Sequence, residues 1–94
     1  MFVSQMINAK GNAVKNQFIL NTKKGIGFQS YESLIAFKAD DNIYLSDKWD
    51  YSATTLKYLK AFLGITDSKK QIQSDIEKGI YVVVSESELK SMLD

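Results

Sequence analysis

The chain contains no cysteine, no histidine and no arginine, and each absence removes a class of chemistry. Without cysteine there is no disulfide, no thiolate nucleophile and no zinc site of the cysteine type. Without histidine there is no imidazole to work as a base near neutral pH. All twelve cationic side chains are lysine, so the forked donor that pairs bidentately with guanine, phosphate or carboxylate is missing, which disfavours specific base readout. The richness in Lys, Asn and Ile is also what an AT-rich genome encodes. Charge of one sign is scarce too: twelve lysines against eleven acids leave a net charge of +1, and no global field draws the molecule to nucleic acid or to an anionic membrane. No stretch approaches the roughly 20 apolar residues of a spanning helix. The apolar opening, Met1 to Ile7, lacks the basic flank, the long apolar run and the cleavage site of a signal peptide. These features predict a cytoplasmic protein with no membrane partner.

What is present suffices for one domain over 1–94. Of the residues, 45% are apolar and eleven are aromatic, and no linker or break in composition divides the chain. A domain this small buries only about 60–65% of its unfolded surface, so its stability is expected to be ordinary to marginal.

The first half reads as strands. Over Ala13–Asn21, Val14, Phe18 and Leu20 alternate with Lys15, Gln17 and Asn21. Thr22 to Gly25 then forms a hairpin turn in which Gly25 takes the positive φ, and Ile26–Ser30 returns antiparallel. Gly27 inside that strand marks a bulge or a close approach. Leu34–Lys38 is a third strand, Ala39 to Asn42 a polar turn, and Ile43–Ser46 a fourth strand, together a meander with one covered face.

In the second half the period changes. Ser52 caps a helix running to Leu63, with Leu56, Leu59 and Leu63 on one stripe, Tyr58 and Phe62 beside it, and Gly64 as the stop. A second helix starts at Asp67 or Ser68, carries Ile72 and Ile76 on one side, and ends at Lys78. Ile80–Val84 is a continuous β-branched run, as in a strand buried on both faces or central in a sheet, and it joins either the edge or the middle. Ser85 and Glu88 make a capping box for a short last helix with Leu89, Met92 and Leu93 inward. The fold class is α+β: an antiparallel meander of about four strands plus one late strand, covered by two helices, with a short C-terminal helix.

Catalytic arrangements are sparse. Asp40 and Asp41 sit in a turn, and Asp47 and Asp50 flank Lys48 and Trp49; turn and cap roles account for all four. Asp40, Asp41 and Asn42 are oxygen ligands, but the loop is too short to wrap a cation and lacks the calcium-loop spacing. No phosphate-loop motif accompanies Gly25 and Gly27. No enzyme, cofactor or metal ion is expected.

The densest constellation is Trp49, Asp50, Tyr51, Ser52, Thr54, Thr55 and Tyr58. It reads either as a recognition surface, since Trp and Tyr dominate interface hot spots, or as a capped helix pinned by a core tryptophan. Asn16, Gln17 and Phe18 on the first strand and Phe28, Gln29, Ser30 and Tyr31 on the second form a polar-aromatic set, in which the amides of Gln17 and Gln29 come near one another. They are either a binding face or the wet side of a sheet. Lys57, Lys60, Lys69 and Lys70 give the helices a mildly basic side, which serves either solvation or phosphate contact.

The blocks Asn16-Gln17-Phe18-Ile19, Phe28-Gln29-Ser30-Tyr31 with Ser33-Leu34-Ile35-Ala36, and Trp49-Asp50-Tyr51-Ser52 with Thr54-Thr55, Tyr58-Leu59 and Phe62-Leu63-Gly64 resemble, in order and spacing, a family of small uncharacterised bacteriophage proteins. The resemblance runs from about residue 10 to about residue 84 and leaves out the first nine residues and the last helix. It implies a phage-encoded, non-virion protein made in the host cytoplasm, with no assigned activity. The expected function is therefore a non-enzymatic binding module that engages a host or phage protein, as in host takeover or inhibition of a host defence. The competing expectation is a nucleic-acid binder that uses the four lysines and stacks bases on Phe28, Tyr31 or Tyr51.

Overall fold

In the computed structural model, which describes residues 1–93, nine elements follow in the order β1 (Phe2–Ile7), β2 (Ala13–Asn21), β3 (Ile26–Ser30), β4 (Ser33–Ala39), β5 (Asn42–Ser46), α1 (Ala53–Leu63), α2 (Lys69–Glu77), β6 (Tyr81–Val84) and α3 (Glu86–Met92). The α+β class and the short last helix are as expected. The six strands form one sheet in sequence order, antiparallel from β1 to β5, with β6 parallel to β5. A parallel neighbour needs a long crossover, and α1 with α2 supply it. The radius of gyration is 12.4 Å, that of one compact domain of this length.

Local chemistry explains most boundaries. The Ser52 hydroxyl accepts from the Thr55 amide at the start of α1, and Gly64 ends that helix in the left-handed conformation. Ser68 and Gln71 form a full capping box on α2, and Ser85 accepts from the Glu88 amide on α3. Leu59 and Phe62 of α1 and Ile72 of α2 pack on Phe28, Ile35, Leu45, Trp49 and Tyr81, with Phe28 and Phe62 stacked at 5.6 Å.

Four expectations need correction. First, the apolar opening is a strand, β1, turned into β2 by Asn8, whose side-chain oxygen accepts from the Lys10 and Asn12 amides, and by Gly11 at φ 83°. Second, both faces of the sheet are covered. Leu89, Met92 and Leu93 of α3 pack on Leu20, Leu34 and Phe37, opposite the α1–α2 layer. Third, the β-branched run is not buried on both faces: of the two places open to it, β6 takes the edge, and Val82 and Val83 are exposed. Fourth, Gly25 has no positive φ. A Cβ there would lie 2.1 Å from the Lys38 carbonyl oxygen, so close approach, not dihedral freedom, is what requires glycine.

The two-sided cover follows from irregularities. Asn16 interrupts β2 with φ 65°, and the alternation inverts across it: Val14 and Ile19 join the α1 layer while Phe18 and Leu20 join the α3 layer. In β4, Ile35 and Ala36 both face the α1 layer, because the β3–β4 register slips there by one residue. Gly27 lies beneath Leu93, with a Cβ there at ordinary contact distance of 3.4 Å, and the bulge falls at Phe28 and Gln29, so neither a bulge nor an unusually close neighbour explains this glycine.

Candidate functional site

The β3–β4 connection is a two-residue hairpin, with Ser30 opposite Ser33 and Tyr31 and Glu32 between them. Tyr31 has φ 56° at the first central position, where such turns favour glycine or asparagine. A bulky residue held there stores strain of about 1–3 kcal/mol, and the surroundings must over-determine it. They do so twice: the Tyr31 amide donates to the Asn16 carbonyl at 2.7 Å, and Gln29 Nε2 donates to the Tyr31 carbonyl at 2.8 Å. Asn16 is itself left-handed, so two strained residues brace each other.

The β5–α1 loop brings the second aromatic. Trp49 is only 4% exposed and sits in the core, and the amides of Trp49 and Tyr51 donate to the carbonyls of Ser46 and Lys48. The loop is thereby pinned, and Tyr51 is left pointing outward, 52% exposed. Asn16, Phe18, Tyr31, Glu32, Ser33 and Tyr51 then line one open groove of about 630 Å³. This volume lies within the range of ligand-binding clefts. Three aromatic rings and a single carboxylate suit a partner that offers an apolar or cationic group.

The residues singled out from the sequence are thus divided. Tyr31 and Tyr51 line the groove, and Gln29 supports it from behind. Trp49, Gln17 and Thr55 are buried and present no surface to a partner. Gln17 does not share a wet face with Gln29: Gln17 pairs with Ser30 and Gln29 with Phe18, so the two amides lie on opposite faces. Neither polar atom of the Gln17 amide has a hydrogen-bond partner among the described residues. Thr55 meets the Ser30 and Ser52 hydroxyls at 3.0 Å. Asp50 forms an ion pair with Lys69 at 3.3 Å. Thr54 is exposed on α1, outside the groove.

Tyr58 and Lys57 line a separate cavity between α1 and the β1–β2 turn, with the Lys57 ammonium 5.3 Å from the Tyr58 ring centre. Lys60 and Lys70 also lie on the helices, away from the groove. Asn16 and Phe18 belong to the polar-aromatic set read from the sequence and line the groove, whereas Glu32 and Ser33 were not singled out as site residues. Asn16 was legible as a residue that tolerates the left-handed region, but Phe18 alternated as core, and nothing in the sequence places the Glu32 turn against Tyr51.

Among the described residues no three His, Cys, Asp or Glu side chains gather as a metal site would need, and no helix is long and apolar enough to cross a membrane. Asp40 and Asp41 are the central residues of the β4–β5 hairpin, Asp40 at φ 54°. One carboxylate outside the groove is perturbed, that of Glu86. Burial alone would raise its pKa, but the Leu34 amide, Lys90 and Lys48 outweigh burial and hold it below the ordinary glutamate value.

No curated protein and no solved structure matches the chain. The family of unknown function DUF8033 matches residues 1–78, from the chain start through β1 to just past α2, so β1 lies within the match while β6 and α3 lie beyond it. The chain therefore belongs to this family of unknown function, DUF8033.

Proposed function

We propose that the chain is a non-enzymatic binding module, phage-encoded, whose groove of Tyr31, Tyr51, Phe18 and Glu32 engages a host or phage protein in host takeover or inhibition of a host defence. The observation that carries this reading is Tyr31, a bulky aromatic held in a left-handed turn position and half-exposed. Folding alone favours glycine there, and strained, exposed residues cluster at functional sites. Tyrosine is also a residue of choice for interface hot spots. The phage origin is supported by the sequence blocks described above, and the binding role also by the absence of imidazole and thiol groups from the chain.

Glu32 makes the groove locally acidic, which favours a lysine or arginine on the partner over a phosphate backbone. A nucleic-acid reading has less support. Lys69 is engaged by Asp50 and Lys57 by the Tyr58 ring, so two of its four cations are occupied.

Affinity capture from infected-host lysate tests the reading. Wild-type protein is expected to recover a protein that a Tyr31→Ala, Tyr51→Ala variant recovers at least about tenfold less. A Lys70→Ala variant is expected to recover it undiminished. Equal recovery by the tyrosine variant would remove the groove as the binding surface. A shift of DNA at low salt that vanishes in Lys60→Ala, Lys70→Ala would favour the nucleic-acid reading instead.

A further inference from the structure

The sheet has two open edges, β1 and β6, and β1 is the longer, with six residues against four. Edge strands are usually blunted by lysine, proline or a bulge on the edge strand itself. The sequence carries no charged side chain before Lys10, and Phe2 is 67% exposed, with Met1, Val3 and Ile7 also exposed. The irregularity in the β1–β2 ladder falls on β2. Between the pairs Gln5–Phe18 and Ile7–Ala13, β1 advances by two residues and β2 by five, so β1 keeps its regular alternation.

That alternation places Phe2, Ser4 and Met6 on the α1 side, since Ser4 lies opposite Ile19 and both Ile19 and Met6 pack in the α1 layer. On the same side, a mostly apolar cavity of about 460 Å³ opens between the end of β1 and α1, lined by Met6, Ile7, Ala9, Lys57, Tyr58 and Ala61 among others. The chain therefore carries an exposed apolar knob at one end of its edge strand and an apolar hole at the other.

Directly opposed residues of an antiparallel pair share a face, so a self-paired β1 can centre only on a residue. Centred on Ser4, it sets Phe2 against Met6, Met1 against Ile7 and serine against serine. Centred on Gln5, it sets Phe2 against Asn8 and Ser4 against Met6. Centred on Val3, it sets Phe2 against Ser4 and Met1 against Gln5. The Ser4 register opposes Val3 with Gln5 but forms two kinds of apolar pair, against one in the Gln5 register (Val3 with Ile7) and one in the Val3 register (Val3 with itself), and it alone of the three delivers Phe2 of one copy to the side of Met6 of the other, at the mouth of the cavity.

We propose that two copies of this chain associate through β1, antiparallel about Ser4, each seating its Phe2 in the cavity beside Met6 and Ala61 of the other. The arrangement is two-fold, so both knobs and both holes are used and the pairing closes as a dimer. No side chain of either β1 is charged, so no side-chain charge on the paired strands repels the second copy. Two six-residue strands with two phenylalanines form an interface below standard size, so the dimer is weak and reversible.

Sedimentation equilibrium at about 10 to 100 µM, the range that resolves a micromolar dissociation constant, tests this. The expected result is twice the 10.6 kDa chain mass for wild-type protein at the upper end. Phe2→Lys alters the knob and Ala61→Trp fills the hole. Both positions are exposed, so each variant keeps its fold by circular dichroism, and each weakens association at least about tenfold. Val82→Lys, on the opposite edge, leaves the dimer intact. A wild-type chain that stays monomeric throughout, a dimer indifferent to Phe2→Lys, or one dissolved by Val82→Lys would each overturn the proposal.

Discussion

Tyr31 and Gln17 are neighbours across one hairpin, and each departs from what stability alone would select. Tyr31 occupies a left-handed turn position, which costs about 1–3 kcal/mol that glycine would avoid. Tyr31→Gly is therefore expected to stabilise the fold by about 1 kcal/mol in urea unfolding while abolishing partner capture, the usual opposition between stability and function. A variant that is less stable than wild type would show that the Tyr31 ring contributes to packing and that no relievable strain exists. Gln17 buries an amide with no partner among the described residues, a loss of about 1–3 kcal/mol. Gln17→Met keeps the shape and removes the polar atoms, and its unfolding midpoint is expected to rise. A fall in the midpoint would mean that the amide is hydrogen-bonded in solution. Both positions look ordinary in the sequence, because strain and orphaned polarity arise from what lies opposite.

The start of α3 is held by a charge whose pKa the fold shifts. Glu86 Oε2 accepts from the Leu34 amide at 3.2 Å and from Lys90 at 3.3 Å, and Oε1 accepts from Lys48 at 3.4 Å, tying the start of α3 to β4 and to the loop after β5. Its carboxyl is held below the ordinary value of 4.5, so the carboxylate form is the one that the fold favours. The stabilisation is complete above about pH 4.5, the unfolded value, and is lost as pH falls through the lower folded value. Glu86→Gln is expected to lower stability by about 1 kcal/mol at pH 7, a figure that allows for partial solvent screening of the two lysines. The difference from wild type should shrink as the pH is taken down from 4.5 towards 3. A pH-independent difference would show that shape, not charge, secures the helix.

The molecule as a whole depends on that helix because the sheet has two apolar faces. Leu20, Leu34 and Phe37 are covered by α3, and Leu89, fully buried, is its central contact. Leu89→Ala is expected to cost about 2–5 kcal/mol. In a domain with a total stability of about 5–15 kcal/mol, this lowers the thermal midpoint by ten degrees or more, about 4–8 °C for each kcal/mol. A shift of a degree or two would mean that the second face does not need its cover. The family match ends at residue 78, yet the packing places residues 81–93 in the same cooperative unit, as edge strand and second layer.

Every element from β2 onward was legible in the chain, because caps, glycine stops and the switch from alternating to helical spacing are local signals. Ser52 with Gly64, Ser68 with Gln71, and the Asp40–Asp41 turn each act on their own neighbours. β1 was missed although Asn8 and Gly11 mark its turn, since apolar residues on both faces of a short run give no period to read. The groove was legible only in part. Tyr31 and Tyr51 stand out by type, whereas the burial of Trp49, Gln17 and Thr55 and the recruitment of Asn16 and Glu32 depend on contacts between residues far apart in the chain. The amino-acid order set which segments are strands and helices, through the period of the apolar side chains and through caps and turns whose hydrogen bonds close within a few residues. Which faces are covered, where β6 lies and which tyrosines meet were decided by long-range packing, in which one left-handed residue at Asn16 reverses every side chain that follows it along β2.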